Sequence, residues 1–256
     1  MHDIPSDKYN EFTQKIKFIS KKWQFISVNQ LEDHISGKKL LKGRNVLLTF
    51  DDGFLSNRLV ADKILNKFNI KALFFVVSNF VSKETYEEQQ SFIKNNLYPS
   101  WREHDYPSNI NEMKSMNLED LKHLVDCGHT IGFHTSNHLD LSSLDESSDL
   151  HNEVVEGALL LEKKLGYKIK HFSFGFGNVD FFSKKALIKA NSHFAFIHTG
   201  MRGDNAKSNL SWALRRDTIS LDDNNLQIAS FLEGSSDLRY SQDFLKYESW
   251  LSEELR

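Results

Sequence analysis

Short apolar segments alternate along most of the chain with segments of helical periodicity. We interpret the apolar segments as β-strands, and they cover residues 46–50, 72–77, 130–133, 171–176, 194–197 and, with a weaker pattern, 213–219. Strands that alternate with helical segments are typical of a parallel sheet with crossover helices. The pattern therefore predicts an α/β fold.

Four apolar stripes at helical spacing separate or follow these segments. Their members are Val60, Ile64, Leu65 and Phe68; Leu118, Leu121, Leu124 and Val125; Val154, Ala158, Leu161 and Leu165; and Phe244, Tyr247, Leu251 and Leu255. Asn117 is the predicted N-cap of the second helix. Gly128 and Gly166 are predicted to end the second and third helices, because glycine accepts the left-handed conformation that follows many helices.

Residues 83–115 form a connection that is too long for an ordinary link between a strand and a helix. We predict a partly helical insertion that ends in an irregular loop, and long loops of this kind often shape a substrate site. With 256 residues and 39% hydrophobic content, the chain is long enough for one barrel-sized domain. We therefore predict a single domain over residues 1–256, with the insertion around 83–115.

Composition and charge exclude several classes of function. The formal net charge of −3 argues against nucleic acid as the main partner. Cys127 is the only cysteine, so an internal disulfide and a cage of thiolates around zinc are excluded. The first ten residues do not resemble a signal peptide, and no apolar run reaches the length of about 18 residues typical of a membrane span. We expect a soluble, cytoplasmic chain without a transmembrane segment.

Two polar motifs follow predicted strands. Asp51 and Asp52 end the first strand, and His134 and His138 follow the third. Taken separately, the acids could bond to backbone amides in a turn, and the histidines could lie in a solvated loop. A parallel sheet, however, brings the carboxyl ends of its strands to one edge, so these four side chains should converge.

Such a convergence predicts a metal site with a spare base. Two imidazoles and one carboxylate suit zinc or another divalent transition ion and leave positions open for water. Adjacent residues at a strand end point in different directions, so Asp52 could reach the ion while Asp51 faces the water.

Three motifs, TFDDG at 49–53, HTSNH at 134–138 and FSFGFG at 172–177, resemble those of the polysaccharide deacetylase family, also called carbohydrate esterase family four. The similarity extends over roughly residues 10–220. It implies a distorted (β/α) barrel that removes N-acetyl groups from amino sugars with a bound divalent metal. By the same resemblance, Asp52, His134 and His138 match the metal ligands, Asp51 matches the general base, and the Thr135 hydroxyl would brace the histidine loop.

Two catalytic assignments depart from the family pattern. His198 stands near the chain position of a late histidine that serves as general acid in many members, and a structural role for it is the alternative. Many members also carry an arginine that pairs with the base in the third motif, whereas FSFGFG has none. Arg215 or Arg216 could supply that charge, and we select Arg215 as the catalytic residue; a solvated surface pair is the alternative.

Aromatic side chains are predicted to contact the substrate. Trp101 and Tyr106 lie in the long loop, and Phe174 and Phe176 lie in the glycine motif. All four could stack on a sugar ring, although most of the 20 phenylalanines must belong to the core.

The sequence thus predicts a metal-dependent hydrolase that removes an N-acetyl or N-formyl group from an amino sugar. The expected partners are a surface polysaccharide or its nucleotide-linked or lipid-linked precursor, and the expected cofactor is one Zn²⁺, with Co²⁺, Ni²⁺ or Fe²⁺ as alternatives. A catalytically inactive glycan-binding relative and a carbohydrate O-acetyl esterase remain as alternative functions.

Overall fold

The strands of the computed structural model, which describes residues 1–144, 148–205, 211–235 and 237–254, form two parallel sheets. A small sheet pairs β1 (Gln24–Phe25) with β2 (Asn45–Val46). The main sheet contains, in chain order, β3 (Thr49–Phe50), β4 (Leu73–Val76), β5 (Thr130–Phe133), β6 (His171–Ser173) and β7 (Phe196–His198). Each connection between parallel neighbours must return to the same edge of the sheet. The predicted parallel α/β fold is confirmed.

Helices supply these crossovers and flank the sheets. They are α1 (Tyr9–Ile19), α2 (Val28–Ile35), α3 (Leu55–Lys63), α4 (Tyr86–Phe92), α5 (Leu118–Asp126), α6 (Ser148–His151), α7 (Gly157–Leu165), α8 (Lys184–Asn191), α9 (Asn225–Leu232) and α10 (Ser241–Glu254). A π-helical segment, Ile93–Leu97, follows α4, and a second, Asn152–Glu156, joins α6 to α7. Within the described ranges, none of the helices has both the length and the apolar character needed to cross a bilayer.

The predicted helix ends are confirmed. The Asn117 side chain accepts a hydrogen bond from the Asp120 backbone N–H at 3.0 Å, and the Asp120 carboxylate accepts one from the Asn117 N–H, which together cap α5. Gly128 and Gly166 follow α5 and α7 with φ angles of 83° and 80°. Of the predicted C-terminal stripe, Leu255 lies outside the described residues.

Three predicted strands differ from the structure. The segment 46–50 splits into β2 and β3, which pair with different neighbours. The segment 171–176 leaves the sheet after Ser173, where the chain turns. The segment 213–219 forms only an isolated bridge between Leu214 and His198. The prediction of a regular sixth strand there is therefore wrong, and the two-residue strand β1 was too short to show a period.

The largest apolar cluster takes members from Ile4 near one end of the chain to Leu251 near the other. Phe50 of β3 and Phe74 of β4 are paired in register and stack with ring centroids 5.0 Å apart. Burial of a large apolar side chain contributes about 1.5–3 kcal/mol. This packing holds the end of β3, where Asp51 and Asp52 begin the first polar motif.

His129, just before β5, is a buried histidine outside those motifs. Its Nδ1 accepts a hydrogen bond from the Ala72 backbone N–H at 3.0 Å, and burial lowers its pKa to about 4. An unfolded histidine has a pKa of about 6.5, so between these values the unfolded chain takes up a proton that the folded chain does not. The free energy of unfolding should therefore fall, by up to about 3 kcal/mol, as the pH drops from about 6.5 to 4.

The contribution of His129 can be isolated with His129→Asn, which keeps an acceptor for the Ala72 N–H but does not titrate. Urea unfolding at several pH values should give a shallower decline for the variant than for the parent chain. Parallel pH curves for the two proteins would contradict the assignment.

Candidate active site

Asp52, His134 and His138 converge at the carboxyl edge of the main sheet. Asp52 follows β3, and both histidines belong to the loop after β5. The Asp52 Oδ1 atom lies 3.7 Å from His134 Nε2 and 3.8 Å from His138 Nε2. All three side chains are buried. The structure thus brings together the three residues predicted as metal ligands.

Hydrogen bonds orient both imidazoles towards Asp52. His134 Nδ1 lies 2.7 Å from the Ser173 carbonyl oxygen, and His138 Nδ1 lies 3.1 Å from that of Asn96. Because a carbonyl oxygen only accepts, each Nδ1 carries the proton and each Nε2 keeps a free lone pair. Burial lowers the pKa of His134 to about 3 and also lowers that of His138. Both rings are therefore neutral, as metal binding requires.

The carboxylate of Asp52 lacks the partners that a buried charge needs. Its Oδ1 atom has no hydrogen-bond partner among the described residues, and burial raises the pKa of the group to about 6. A buried acceptor between two imidazole lone pairs is unfavourable unless a cation joins them. Gly175 leaves the room required, since a Cβ there would lie 3.2 Å from His138 Nε2. The residues therefore fit a divalent metal ion, held by one carboxylate oxygen and two imidazole nitrogens.

Arg216, and not Arg215, contacts Asp51. Arg216 Nη1 donates to Asp51 Oδ1 at 2.7 Å, Nη2 donates to Ser173 Oγ at 2.6 Å, and Nε donates to the Thr199 carbonyl at 3.2 Å. The prediction of Arg215 is wrong in this respect, because the two adjacent guanidinium groups have different partners. The Arg215 guanidinium instead lies 3.5 Å above the Phe244 ring.

Arg216 controls the ionisation of Asp51. Burial alone would raise the pKa of this carboxyl group, but the adjacent guanidinium outweighs that effect and holds the pKa well below its usual range. Asp51 is therefore ionised at neutral pH. It stands next in sequence to Asp52 and is not one of the three clustered ligands, so it remains available as a base.

The histidine loop is held in a conformation that few residues adopt. Thr135 and His138 have φ angles of 65° and 59°, in the left-handed region. The Thr135 hydroxyl accepts a hydrogen bond from the His138 backbone N–H at 2.9 Å, which is the bracing contact that the resemblance implies.

Glu153 is a second brace, and the sequence did not reveal it. Its carboxylate accepts from the Asn137 backbone N–H at 2.9 Å and also from the Asn137 side-chain amide. Glu153 is buried in the π-helical segment Asn152–Glu156, where the extra residue per turn changes which side chains face inward. In the sequence, the only indication of this role is that Glu153 directly precedes Val154, a member of the predicted apolar stripe.

His198 is buried within the sheet at the end of β7. Its Nε2 shares a hydrogen bond with His171 Nδ1 at 3.0 Å, and His171 Nε2 contacts Glu32 Oε1 at 3.2 Å. Burial holds the pKa of His198 well below its usual value, so the ring is neutral. This position gives no support to the predicted role of proton donor, because the ring is enclosed and already paired.

His2 is a further histidine that interacts electrostatically with both carboxylates. Its charge lowers the pKa of both Asp52 and Asp51, so the ring lies near them, and its own pKa is lowered by desolvation and raised in turn by the charge of Asp52. The His2 carbonyl accepts from the Asn57 side-chain amide at 2.8 Å, so the segment is attached to α3. The sequence signal was the segment MHDI, which resembles a Tyr-His dipeptide found before the first helix of related deacetylases.

The four predicted aromatic contacts divide into two groups. Trp101 is partly exposed and stacks on Tyr98 at 4.1 Å, with Tyr106 6.0 Å from Trp101. Phe176 is also exposed, and its ring lies 4.4 Å from that of His138. Phe174 is fully buried and stacks on Phe182, so the prediction that it contacts substrate is wrong. It lies in the core on the same side as Phe172, whose ring it meets edge-on with centroids 4.9 Å apart.

Comparison with known proteins identifies similar chains. A protein-family model described as polysaccharide deacetylase matches residues 38–194 of this chain. No match is found among curated proteins. IcaB from Ammonifex degensii is 23% identical, with a TM-score of 0.69 and coverage of 91% of this chain and 94% of that chain. The deacetylase PplD from Streptococcus pyogenes, solved in complex with acetate, is 17% identical, with a TM-score of 0.67 and coverage of 91% and 95%.

A de-N-acetylase from Aggregatibacter actinomycetemcomitans is a further structural match. It is 18% identical, with a TM-score of 0.64 and coverage of 87% of each chain. These likenesses confirm the predicted fold, a curved parallel sheet flanked by helices in the form of a distorted (β/α) barrel.

Proposed function

Because the chain belongs to the polysaccharide deacetylase family, we propose that it is a metal-dependent hydrolase that removes an N-acetyl group from an amino sugar of a glycan. The observation that carries this proposal is the partnerless Asp52 Oδ1 between two imidazole Nε2 atoms, beside an Asp51 that Arg216 keeps ionised. A binding protein without turnover would need no separate ionised base at this position.

Asp52, His134 and His138 would hold the ion, and zinc is the metal that suits one oxygen and two nitrogen ligands. Such an ion, when bound, makes water acidic and polarises an acyl carbonyl group. Asp51 accepts the proton of the attacking water on Oδ2, because Arg216 holds Oδ1. Before this transfer, the positive charge of Arg216 balances the negative charge of Asp51. Arg216 therefore keeps the carboxylate ionised until it accepts the proton.

An amide is cleaved only if its nitrogen leaves as a protonated amine, so the site requires a proton donor. We assign this role to His2, whose charge interacts with both carboxylates, whereas His198 is enclosed within the sheet. Trp101, Tyr106 and Phe176 are the aromatic side chains available at the surface to stack on the sugar ring.

His2→Ala should lower kcat for an N-acetylated amino sugar by roughly 10²-fold, because the amine leaving group loses its proton donor. Hydrolysis of an activated aryl acetate should change far less, since its phenolate leaves without protonation. Steady-state kinetics with both substrates test this assignment, and His198→Gln serves as the comparison. Equal losses on the two substrates would contradict the role of His2.

Release of the acyl group tests the proposed function directly. Zinc-loaded protein is incubated with N-acetylglucosamine oligomers, their N-formyl counterparts, a nucleotide-linked N-acetylamino sugar and O-acetylated xylan, and free acetate or formate is measured. We expect release from an N-acylated amino sugar, and its loss after chelation. Release from the ester alone would identify a carbohydrate O-acetyl esterase. Binding of glycan and zinc without any release would identify an inactive glycan-binding relative.

A further inference from the structure

A second group of metal-ligand side chains lies on the helices outside the main sheet. It consists of Asp62 on α3, His123 on α5 and Cys127 at the end of α5. His123 Nε2 lies 2.8 Å from Asp62 Oδ1 and 3.7 Å from Cys127 Sγ. The three ligand atoms all lie within 4.8 Å of one another. The group is partly exposed, so an ion can reach it from solvent.

This group is separate from the candidate active site. Cys127 precedes β5, whereas His134 follows it. The four residues of β5 span roughly 13 Å at about 3.3 Å per residue, so the two groups lie towards opposite edges of the sheet. No side chain is shared between them.

We infer that Asp62, His123 and Cys127 form a second zinc site, with three protein ligands and one position open to water. His123 lies on α5, and Cys127 is the C-cap residue four positions later in a right-handed helical conformation, so both lie on one face of the helix. Zinc bonds of about 2.0–2.3 Å place tetrahedral ligand atoms roughly 3–4 Å apart. The separation of Cys127 and His123 already fits this range. The shorter contact of Asp62 with His123 must lengthen by about 0.5–1 Å as the ion replaces the proton between them.

The two oxygen atoms of Asp62 have different surroundings. Oδ2 lies 3.4 Å from Arg58 Nε, and Arg58 Nε also lies 3.5 Å from Asp120 Oδ1. The positive charge of Arg58 is therefore divided between Asp120 and Asp62 Oδ2. The other oxygen, Asp62 Oδ1, faces His123 and is the oxygen that would bind the ion. One cysteine cannot form a site made only of thiolates. Here the Cys127 thiolate is the third ligand, beside the His123 imidazole and the Asp62 carboxylate.

Occupation of this site has two measurable consequences. The ion joins α3 to α5 and binds only the folded chain, so zinc should raise the melting temperature. Binding also requires the Cys127 thiolate and releases its proton, so the affinity should increase with pH.

Cobalt titration tests the site, because a cobalt–thiolate bond gives a near-ultraviolet charge-transfer band that nitrogen and oxygen ligands do not give. We use full-length Asp52→Ala, whose active site lacks its carboxylate ligand, alongside the parent chain. Both should develop the band, and Cys127→Ser should lose it while keeping deacetylase activity in the parent background. Alkylation of Cys127 by iodoacetamide should slow at least about tenfold with zinc, in the parent chain but not in His123→Gln.

The absence of the band at saturating cobalt, together with alkylation that zinc does not slow, would overturn the proposal. So would a band of unchanged affinity in both His123→Gln and Asp62→Asn, because the thiolate would then bind cobalt alone. Neither result would affect the proposed deacetylase activity, which depends on the opposite edge of the sheet.

Discussion

Asp51→Asn is expected to lower kcat for deacetylation by roughly 10³-fold, because the variant keeps the shape of the side chain but cannot accept the proton of water. The amide oxygen of asparagine can still accept from Arg216 Nη1, which lies 2.7 Å from Asp51 Oδ1, so the surrounding contacts should survive. KM should change little, since Asp51 acts on water and not on the sugar. Steady-state kinetics on zinc-loaded protein provide the measurement.

The neighbouring acid provides a matched control. In the Cys127→Ser background, which removes the second inferred zinc site, Asp52→Asn should lose both activity and stoichiometric zinc, because Asp52 is a ligand. Asp51→Asn in the same background should still bind one zinc ion, with an affinity within about tenfold of the Cys127→Ser chain. Activity of Asp51→Asn above a tenth of the parent value would contradict the role of the base. Loss of zinc in both variants would contradict the division of roles between the two acids.

Arg216→Gln is expected to lower kcat/KM at pH 6 by roughly 10²-fold and to move the acid limb of the pH profile upward. Arg216 lowers the pKa of Asp51 against the opposing effect of burial. Without the guanidinium, burial raises that pKa above its ordinary value of about 3.9, so the base becomes protonated as the pH falls towards 6. Activity should recover as the pH rises. The pH dependence of kcat/KM from pH 5 to 9 is the measurement.

Arg215→Gln is the control for this variant, because Arg215 is next in sequence but lies over the Phe244 ring, away from Asp51. It should leave the pH profile unchanged. Removing one partner of a buried ion pair can cost about 3–5 kcal/mol of stability, so Asp51→Asn combined with Arg216→Gln should be more stable than Arg216→Gln alone. A parent-like pH profile for Arg216→Gln, or a shifted profile for Arg215→Gln, would contradict the assignment.

The sequence predicted the features that depend on local pattern and on parallel topology. The cap at Asn117 and the left-handed Gly166 follow from residue types that have few alternatives at helix ends. The meeting of Asp52 with His134 and His138 follows from the rule that parallel strands end at one edge. These predictions needed no knowledge of how side chains pack.

The features that were missed depend on packing. The sequence pattern does not show whether Arg215 or Arg216 faces the site. Their segment forms one isolated bridge and not a regular strand, so strand alternation does not fix the direction of either side chain. Phe174 is enclosed in the core by its contacts with Phe172 and Phe182. Glu153 faces the histidine loop because a π-helical segment alters the helical period. Each of these outcomes is decided by tertiary contacts that a single sequence does not display.

The proposed activity depends most on one ion held by Asp52, His134 and His138 with Asp51 beside it. In the Cys127→Ser background, which leaves only this thiolate-free site, chelated protein is titrated with Co²⁺ while visible absorbance and acetate release are recorded together. We expect the absorbance and the rate of acetate release to rise in parallel and to stop rising at one equivalent of Co²⁺ per chain. Acetate release at the full rate before cobalt is added, or saturation of the absorbance with no gain in activity, would contradict the central claim.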